Sequence, residues 1–361
     1  MDSNLQDHNK IIRSAATFLI IGGLIAILQY FKTFLQPFVV ALILWFLVAE
    51  VRRYLEKIKI KNKSLPRPIW TLISTVAVFY IFYVITDLII INFQSLAENA
   101  EKYNSALVDL LEKIEDLLGV DNLGEAVQDQ HSSIVAWASV AAKALASFVG
   151  TLLLVLFYVI FLLLEETAFN KKVQKIYDRS SSKARIKNSV SRISTLLSDY
   201  LGIKVLTSFL TGFLSFFVLL FLGIDMPILW AFLIFLLNFI PSVGSIVATS
   251  FPVIFSMLQY SGDWGKTLYV FLGVAFVQVL IGNIIEPRIL GHKLNLSPLV
   301  VILGLTFWGY LWGFIGMLLS VPIDAALMII LSQFKSTRNA AILFSKDGDI
   351  EYLIPDESKD P

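Results

Sequence analysis

The chain has no cysteine among its 361 residues, which excludes disulfides, thiolate metal sites and cysteine nucleophiles. Its three histidines, His8, His131 and His292, are scattered, so no histidine metal centre and no other cofactor is expected. Charge is scarce. Only 16% of residues are charged and 57% are apolar, against about 25% and roughly 45–50% in soluble domains. A net charge of +1 gives no footing for a nucleic-acid partner. The motifs of ATP use and hydrolysis are also absent: no Walker sequence, no HExxH, no G-x-S-x-G and no CxxC. An enzyme is therefore not expected, and an ATP-driven pump would need its motor on another subunit. What the chain does have is apolar sequence gathered in long blocks, which makes it an integral membrane protein.

The blocks fall at about 11–31, 34–49, 69–91, 146–164, 200–222, 228–258, 267–285 and 299–331. A spanning helix takes roughly 20 residues. The second block reaches that length only with "EVRRY" added, and the sixth and eighth exceed it. The opening "NKIIRSAATFLIIGGLIAILQYF" has a long apolar core with no small-residue cleavage site after it, so it reads as a retained first span. Loop 50–68 carries Arg52, Arg53, Lys57, Lys59, Lys61, Lys63 and Arg67 against Glu50 and Glu56. Connector 165–199 carries eight bases against four acids, whereas 92–145 carries nine acids against three bases. Short basic loops stay in the cytoplasm, so the first two lie inside, 92–145 outside, and both termini inside.

Five regions follow: spans 1–3 (1–91), an extracytoplasmic lobe (92–145), the fourth span with its basic connector (146–199), a core of two span-plus-hairpin units (200–335), and a cytoplasmic tail (336–361). Phe93, Leu96, Ala100, Tyr103, Leu107, Leu110, Leu111, Ile114 and Leu118 recur at helical spacing in the lobe. "GVDNLGEAVQDQHSS" (119–133) reads as its loop, and a second amphipathic stretch starts at Ile134. The lobe is read either as packed on itself or as an oligomer contact or vestibule wall. The basic stretch 171–194 is a solvated helix that can also touch anionic headgroups.

Inside the sixth block stands "NFIPSVGSIVATSFP" (238–252). A turn in lipid leaves backbone groups unpaired at several kcal/mol each, so such a stretch must be buried in protein or line a wet cavity. The segment from Pro227 to Pro252 has a counterpart from Pro298 to Pro322, about 70 residues on. Each opens on proline, a preferred first helical residue, and each closes on one. Each breaks midway, at "NFIPSVGS" with Pro241 and at "WGYLWG" with Gly309 and Gly313. A half of about 12 residues rises about 18 Å, too short to cross a 30 Å core. The pair is thus expected to form two re-entrant or broken hairpins, entering from opposite sides, beside about six full spans in an all-α polytopic fold. Paired breaks of this kind point to a binding site. The bland alternative is that these residues only permit close helix packing. The first tip is expected near mid-membrane, facing a hydrated cavity beside the second break.

Polar residues gather in "QVLIGNIIEPRIL": Gln278, Asn283, Glu286 and Arg288. Gln278 and Glu286 are eight apart and share a helical face. Pro287 removes the donor for the carbonyl of Asn283. A free carbonyl beside Glu286 suits a cation or a proton, although Glu286 with Arg288 also fits an interfacial anchor. Asn238, Ser242 and Ser245 offer neutral hydrogen-bonding groups, and Gly244 lets backbone approach a ligand. Asp324, in apolar surroundings, is a second candidate titrating group. Asp225 reads as a cap, and Lys204 with Asp199 as the cytoplasmic edge of the fifth span.

"GIDMPILWAFLIFLLNFIPSVGS", "IIEPRILGHKLNLSPLVVILGLTFWGYLWGFIGMLLSVP" and "NAAILFSKDG" resemble the autoinducer-2 exporter family, also described as PerM-type permeases. The resemblance covers about 200–345; the first half fits in hydropathy and in its large loop. It implies transport across a bacterial inner membrane by a homo-oligomer, with pentamers known, and export of autoinducer-2 or sodium/proton antiport. Asn238, Pro241, Gly244, Glu286 and Pro287 carry over as motif positions. Three functions are therefore expected candidates: a secondary transporter of a small polar solute, an antiporter using Glu286 or Asp324, and a non-transporting membrane scaffold.

Overall fold

The structure, a computed structural model, describes residues 2–57, 66–118, 151, 153–166, 168–169, 171–175, 183–290 and 295–353. The lobe loop 119–133, the stretch from Ile134 to 150, His292, Lys293 and the last residues 354–361 lie outside them.

The described chain is helical. Helices α1 (Asp2–Tyr30), α2 (Lys32–Leu55), α3 (Arg67–Glu98) and α4 (Ala100–Leu118) are followed by α5 (153–166) and α6 (Lys183–Phe221). Then come α7 (Pro227–Leu237), α8 (Val243–Gln259), α9 (Trp264–Gln278), a π-helical segment Val279–Ile285, α10 (Glu286–Leu290), α11 (Pro298–Ser332) and α12 (Arg338–Phe344). Among the described residues, five helical stretches are long and apolar enough to cross a membrane: Lys32–Leu55, Arg67–Leu96, Val190–Phe221, Trp264–Leu290 and Pro298–Ser332. The first four of these correspond to expected full spans and the fifth is the second interrupted segment; the apolar end of α1, Phe18–Tyr30, and α5 fall in the first and fourth apolar blocks. This is an all-α polytopic membrane protein.

In the first half, α2, α3 and α5 pack through Ala41, Leu44, Val48, Val78, Val155 and Val159. Their basic end is tied by Glu166. It accepts from Arg52 at 2.8 and 3.0 Å and from Arg67 at 2.7 Å.

Both interrupted segments fold back on themselves. In the first, Pro227 starts α7, as a proline can. The chain turns at 238–242 and returns along α8. The two ends meet: Gln259 Oε1 accepts from the Asp225 amide at 2.8 Å, and its Nε2 donates to the Gly223 carbonyl at 2.7 Å. The second segment, α11, is broken at Gly313, whose φ of 61° and ψ of −140° favour a residue without a Cβ. Its arms then run antiparallel. Trp308 Nε1 donates to Asp324 Oδ1 at 3.0 Å, Gly309 faces Met317 and Gly304 faces Asp324.

Helix α6 fixes the sense of the two hairpins. Tyr200, near its start, packs with Val301, Val321, Ala325 and Met328 at the base of the second hairpin. Leu219, near its end, packs with Met226, Leu229, Trp230 and Phe255 at the base of the first. About 28 Å of helix separates these levels, so the hairpins enter from opposite ends. The first base carries α4. Lys102 and Tyr103 both bond Asp225 Oδ2, at 3.2 and 2.9 Å, and Lys113 bonds the Ser261 carbonyl. Burial, with the Asp225 carboxylate beside it, pushes the Tyr103 phenol above its ordinary value, so it stays a donor. Asp225 thus ties the lobe down instead of capping α7, where no side chain caps the helix.

Two expected breaks take another form. Pro252 lies inside α8 and Pro322 inside α11, and both helices continue past them. Each proline removes one backbone hydrogen bond, and both are buried among packed helices, a setting in which membrane helices tolerate proline. The arms of the hairpins are consequently longer than the proline-bounded repeat suggests.

Candidate functional site

A cavity of about 440 Å³ opens where the tip of the first hairpin reaches the base of the second. That volume suits a small molecule. Its wall takes Tyr200 and Lys204 from α6, residues around 238–245 from the tip, Gln278 to Leu290 from the π segment and its flanks, and Val301 and Val321 from the second hairpin. Asn295, Leu296 and Lys346 close its tail side. Asn238, Ser242, Ser245, Gln278, Asn283 and Glu286, distant in sequence, are brought together here.

The charged centre is a pair. Lys204 Nζ lies 2.5 Å from Glu286 Oε1, with side chains 8% and 15% exposed. Lys204 also donates to the Asn238 carbonyl at 3.3 Å, and Thr207 Oγ1 donates to Glu286 Oε2 at 3.2 Å. The pair is neutral as a unit and ties α6, the hairpin tip and α10 to one point. Lys204 is buried in the cavity wall and Glu286 is largely covered there, each against the other. The available sequence signal was a polar stripe on α6. Lys204, Thr207, Ser208, Thr211 and Ser215 fall three or four residues apart, and all are buried.

The tip is strained. Ser242 holds φ 59° and ψ −55°, and the Val243 amide donates to the Pro241 carbonyl at 2.6 Å. This is a γ-turn of the rare positive-φ kind. Ser245 Oγ shores it by donating to the Ser242 carbonyl at 2.9 Å. Asn238 Nδ2 turns toward α6, donating to Ser208 Oγ at 3.2 Å. Gly244 lies outside the cavity wall. A Cβ there would collide with the Leu237 carbonyl, so its bare Cα closes the turn and does not meet a ligand.

On the other wall the backbone is wound as a π-helix up to Glu286, whose amide donates to the Ile281 carbonyl. The ladder cannot pass Pro287, which has no N–H. Gly282 and Asn283, whose carbonyls it would serve in π and α register, both line the cavity. Gln278, 7% exposed, has neither amide atom hydrogen-bonded. A buried amide without partners costs about 1–3 kcal/mol per lost bond, and it stands on the wall between this cavity and a second one of about 410 Å³ lined largely by apolar side chains of α8 and α9, so the more polar first cavity is where a ligand can supply them.

Two expected members stand apart. Arg288 is exposed on α10 and outside the wall. Asp324 is buried between the arms of the second hairpin. The second break also faces elsewhere. Trp312 Nε1 donates to the Leu28 carbonyl at 3.1 Å, and Gln36 Nε2 donates to the Trp312 carbonyl at 2.7 Å. Gly313 forces a break in the ladder, and the side chain of Gln36 satisfies the carbonyl next to it. The two tips therefore do not share a cavity: one is packed on α1 and α2, and the other faces the base of its counterpart.

Residues 16–336 match the model of the AI-2E family transporters. A putative transport protein of Haemophilus influenzae is 31% identical over 359 residues, 97% of this chain and 99% of that protein. A putative transport protein of Borreliella burgdorferi is 36% identical over 220 residues, 61% of this chain and 60% of that one's length. The AI-2 transport protein TqsA of Escherichia coli is 28% identical over 338 residues, 91% of this chain and 94% of TqsA.

Proposed function

Because this chain belongs to the AI-2E transporter family, we propose that it is a secondary transporter that binds a small, polar, uncharged solute in the cavity between the two hairpins. The observation that carries this reading is Gln278: a buried amide with no partner, on the wall of a cavity where, among the described residues, Lys204 and Glu286 neutralise each other and Lys346 stands exposed at the rim. A neutral solute with several hydroxyl or carbonyl groups satisfies Gln278 and the backbone around Gly282 and Asn283 without bringing a charge that needs a counterion. The likeness to an AI-2 transport protein makes autoinducer-2 the first solute to try.

The body of the first hairpin lies between the cavity and the lobe. Alternating access then requires the tip, with its strained Ser242 turn, to leave the Lys204–Glu286 pair. The protein is placed by this reading in a bacterial inner membrane, multi-pass, with both termini in the cytoplasm, and as a homo-oligomer. What weighs against the antiporter reading at Glu286 is the ammonium of Lys204, which occupies the place a sodium ion would take there.

The test is uptake into proteoliposomes, with autoinducer-2 and a panel of small neutral polyols, with and without sodium and pH gradients. Wild-type protein should move at least one of them. Gln278→Leu should weaken apparent affinity about ten- to hundred-fold, the worth of one or two hydrogen bonds. Flux no greater than in empty liposomes for every solute would favour the scaffold reading instead.

A further inference from the structure

Asp324 is left out of the solute cavity and has chemistry of its own. It lies on the returning arm of the second hairpin, 4% exposed. Oδ1 accepts from Trp308 Nε1 at 3.0 Å, and Oδ2 is buried without a hydrogen-bond partner. Oδ2 is pressed against Gly304 on the opposite arm, in the space where any other residue would carry its Cβ. The elements packed on this hairpin, α1, α2, α6 and α12, bring Tyr30 from α1, Lys32, Glu50, Arg52 and Arg53 on α2, Asp199, Tyr200 and Lys204 from α6, and Arg338 from α12. Lys204 is committed to Glu286, Arg52 to Glu166, and Arg53 to Glu50. Arg338 bonds the Ser332 carbonyl. Among the described residues, none of these forms an ion pair or hydrogen bond with Asp324.

A lone carboxylate in the membrane interior, with one donor and no cation, is far costlier than the neutral acid. A sodium ion would need several oxygens, and no cluster of three or more acidic or histidine groups exists among the described residues. A proton needs only Oδ2. We propose that Asp324 is a proton-binding site, and that the proton on Oδ2 holds the two arms of the second hairpin together. When the proton leaves Oδ2 for water, the carboxylate must gain hydration. The narrow contact with Gly304 then has to open. Val301 lies one turn from Gly304 and Val321 one turn from Asp324, and both line the solute cavity. Protonation therefore sets the position of that wall. This last link rests on the transport reading; the proton site does not.

Infrared spectroscopy of the full chain in lipid, grown with carbon-13 aspartate, tests the site directly. The carbonyl band of a protonated carboxylic acid should appear, shift with the label and titrate with pH. It should persist in Glu286→Gln and vanish in Asp324→Asn. Trp308→Phe should move it to higher frequency, because its carbonyl loses a donor, and this holds even if Asp324→Asn fails to fold. Absence of a label-sensitive band at every pH where the protein is folded would overturn the proposal, as would a band unchanged in Asp324→Asn. In proteoliposomes, Asp324→Asn should keep solute counterflow and lose the response to a pH gradient. Uptake that still follows the gradient would break the link to the cavity. A wild type that moves no solute sinks the transport reading and leaves the infrared result standing.

Discussion

At the scale of single residues the site depends on Lys204 and Glu286. Removing one member of a buried pair leaves the other charged and unpaired, at about 3–5 kcal/mol, whereas replacing both is often close to neutral. Lys204→Met should therefore lower thermal stability in detergent markedly, and Lys204→Met with Glu286→Gln should recover most of the loss. A single Lys204→Met as stable as wild type would mean that the pair does not hold the tip. Glu286 was legible in the sequence because it stands beside a proline within an apolar run. Its partner was not, because 82 positions separate them and only the folding of α6 against α10 brings them to 2.5 Å. Gln278 was legible as a polar residue in a span; that neither of its amide atoms has a partner was not.

At the scale of elements, two glycines near the cavity have opposite surroundings. A Cβ at Gly244 would strike the Leu237 carbonyl, while one at Gly282 would meet nothing within 4 Å. Gly244→Ala should cost about 1–3 kcal/mol by forcing the tip apart. Gly282→Ala should leave stability unchanged or raise it by up to about 1 kcal/mol, and should still weaken solute affinity by narrowing the cavity. Paired melting curves decide this, and equal stability of the two variants would contradict the packing of the tip. The hairpins themselves could be read from the paired breaks, since a half-length apolar helix cannot cross. The positions of the true breaks could not. Pro252 and Pro322 look like boundaries in sequence, but packed neighbours let both helices run on. Gly313, one glycine among several, is the residue that takes the positive φ.

At the scale of the whole molecule, the opposed hairpins give the protein two distinct ends. One carries α4 on the Asp225 tether, and the other carries α12 and the Leu296–Ser345 bridge. Glu112 and Lys346 are exposed at these ends. In this cysteine-free chain, Glu112→Cys should react with an impermeant thiol reagent in intact cells, and Lys346→Cys only after permeabilisation. The reverse pattern would overturn the sidedness read from charge.

Composition and pattern alone determined that the chain is a helical membrane protein with two half-length hairpins and a polar cluster around Glu286. Those features depend on local physics: the length of an apolar run against the thickness of a bilayer, and the missing donor of a proline. Only the tertiary structure decided which groups meet. It joined Lys204 to Glu286, turned the second break toward α1 and α2, and set Asp324 apart from the cavity with one oxygen unpaired. Such pairings depend on how helices distant in sequence rotate and pack against one another, and a hydropathy pattern constrains which face is apolar far more than which neighbour it meets.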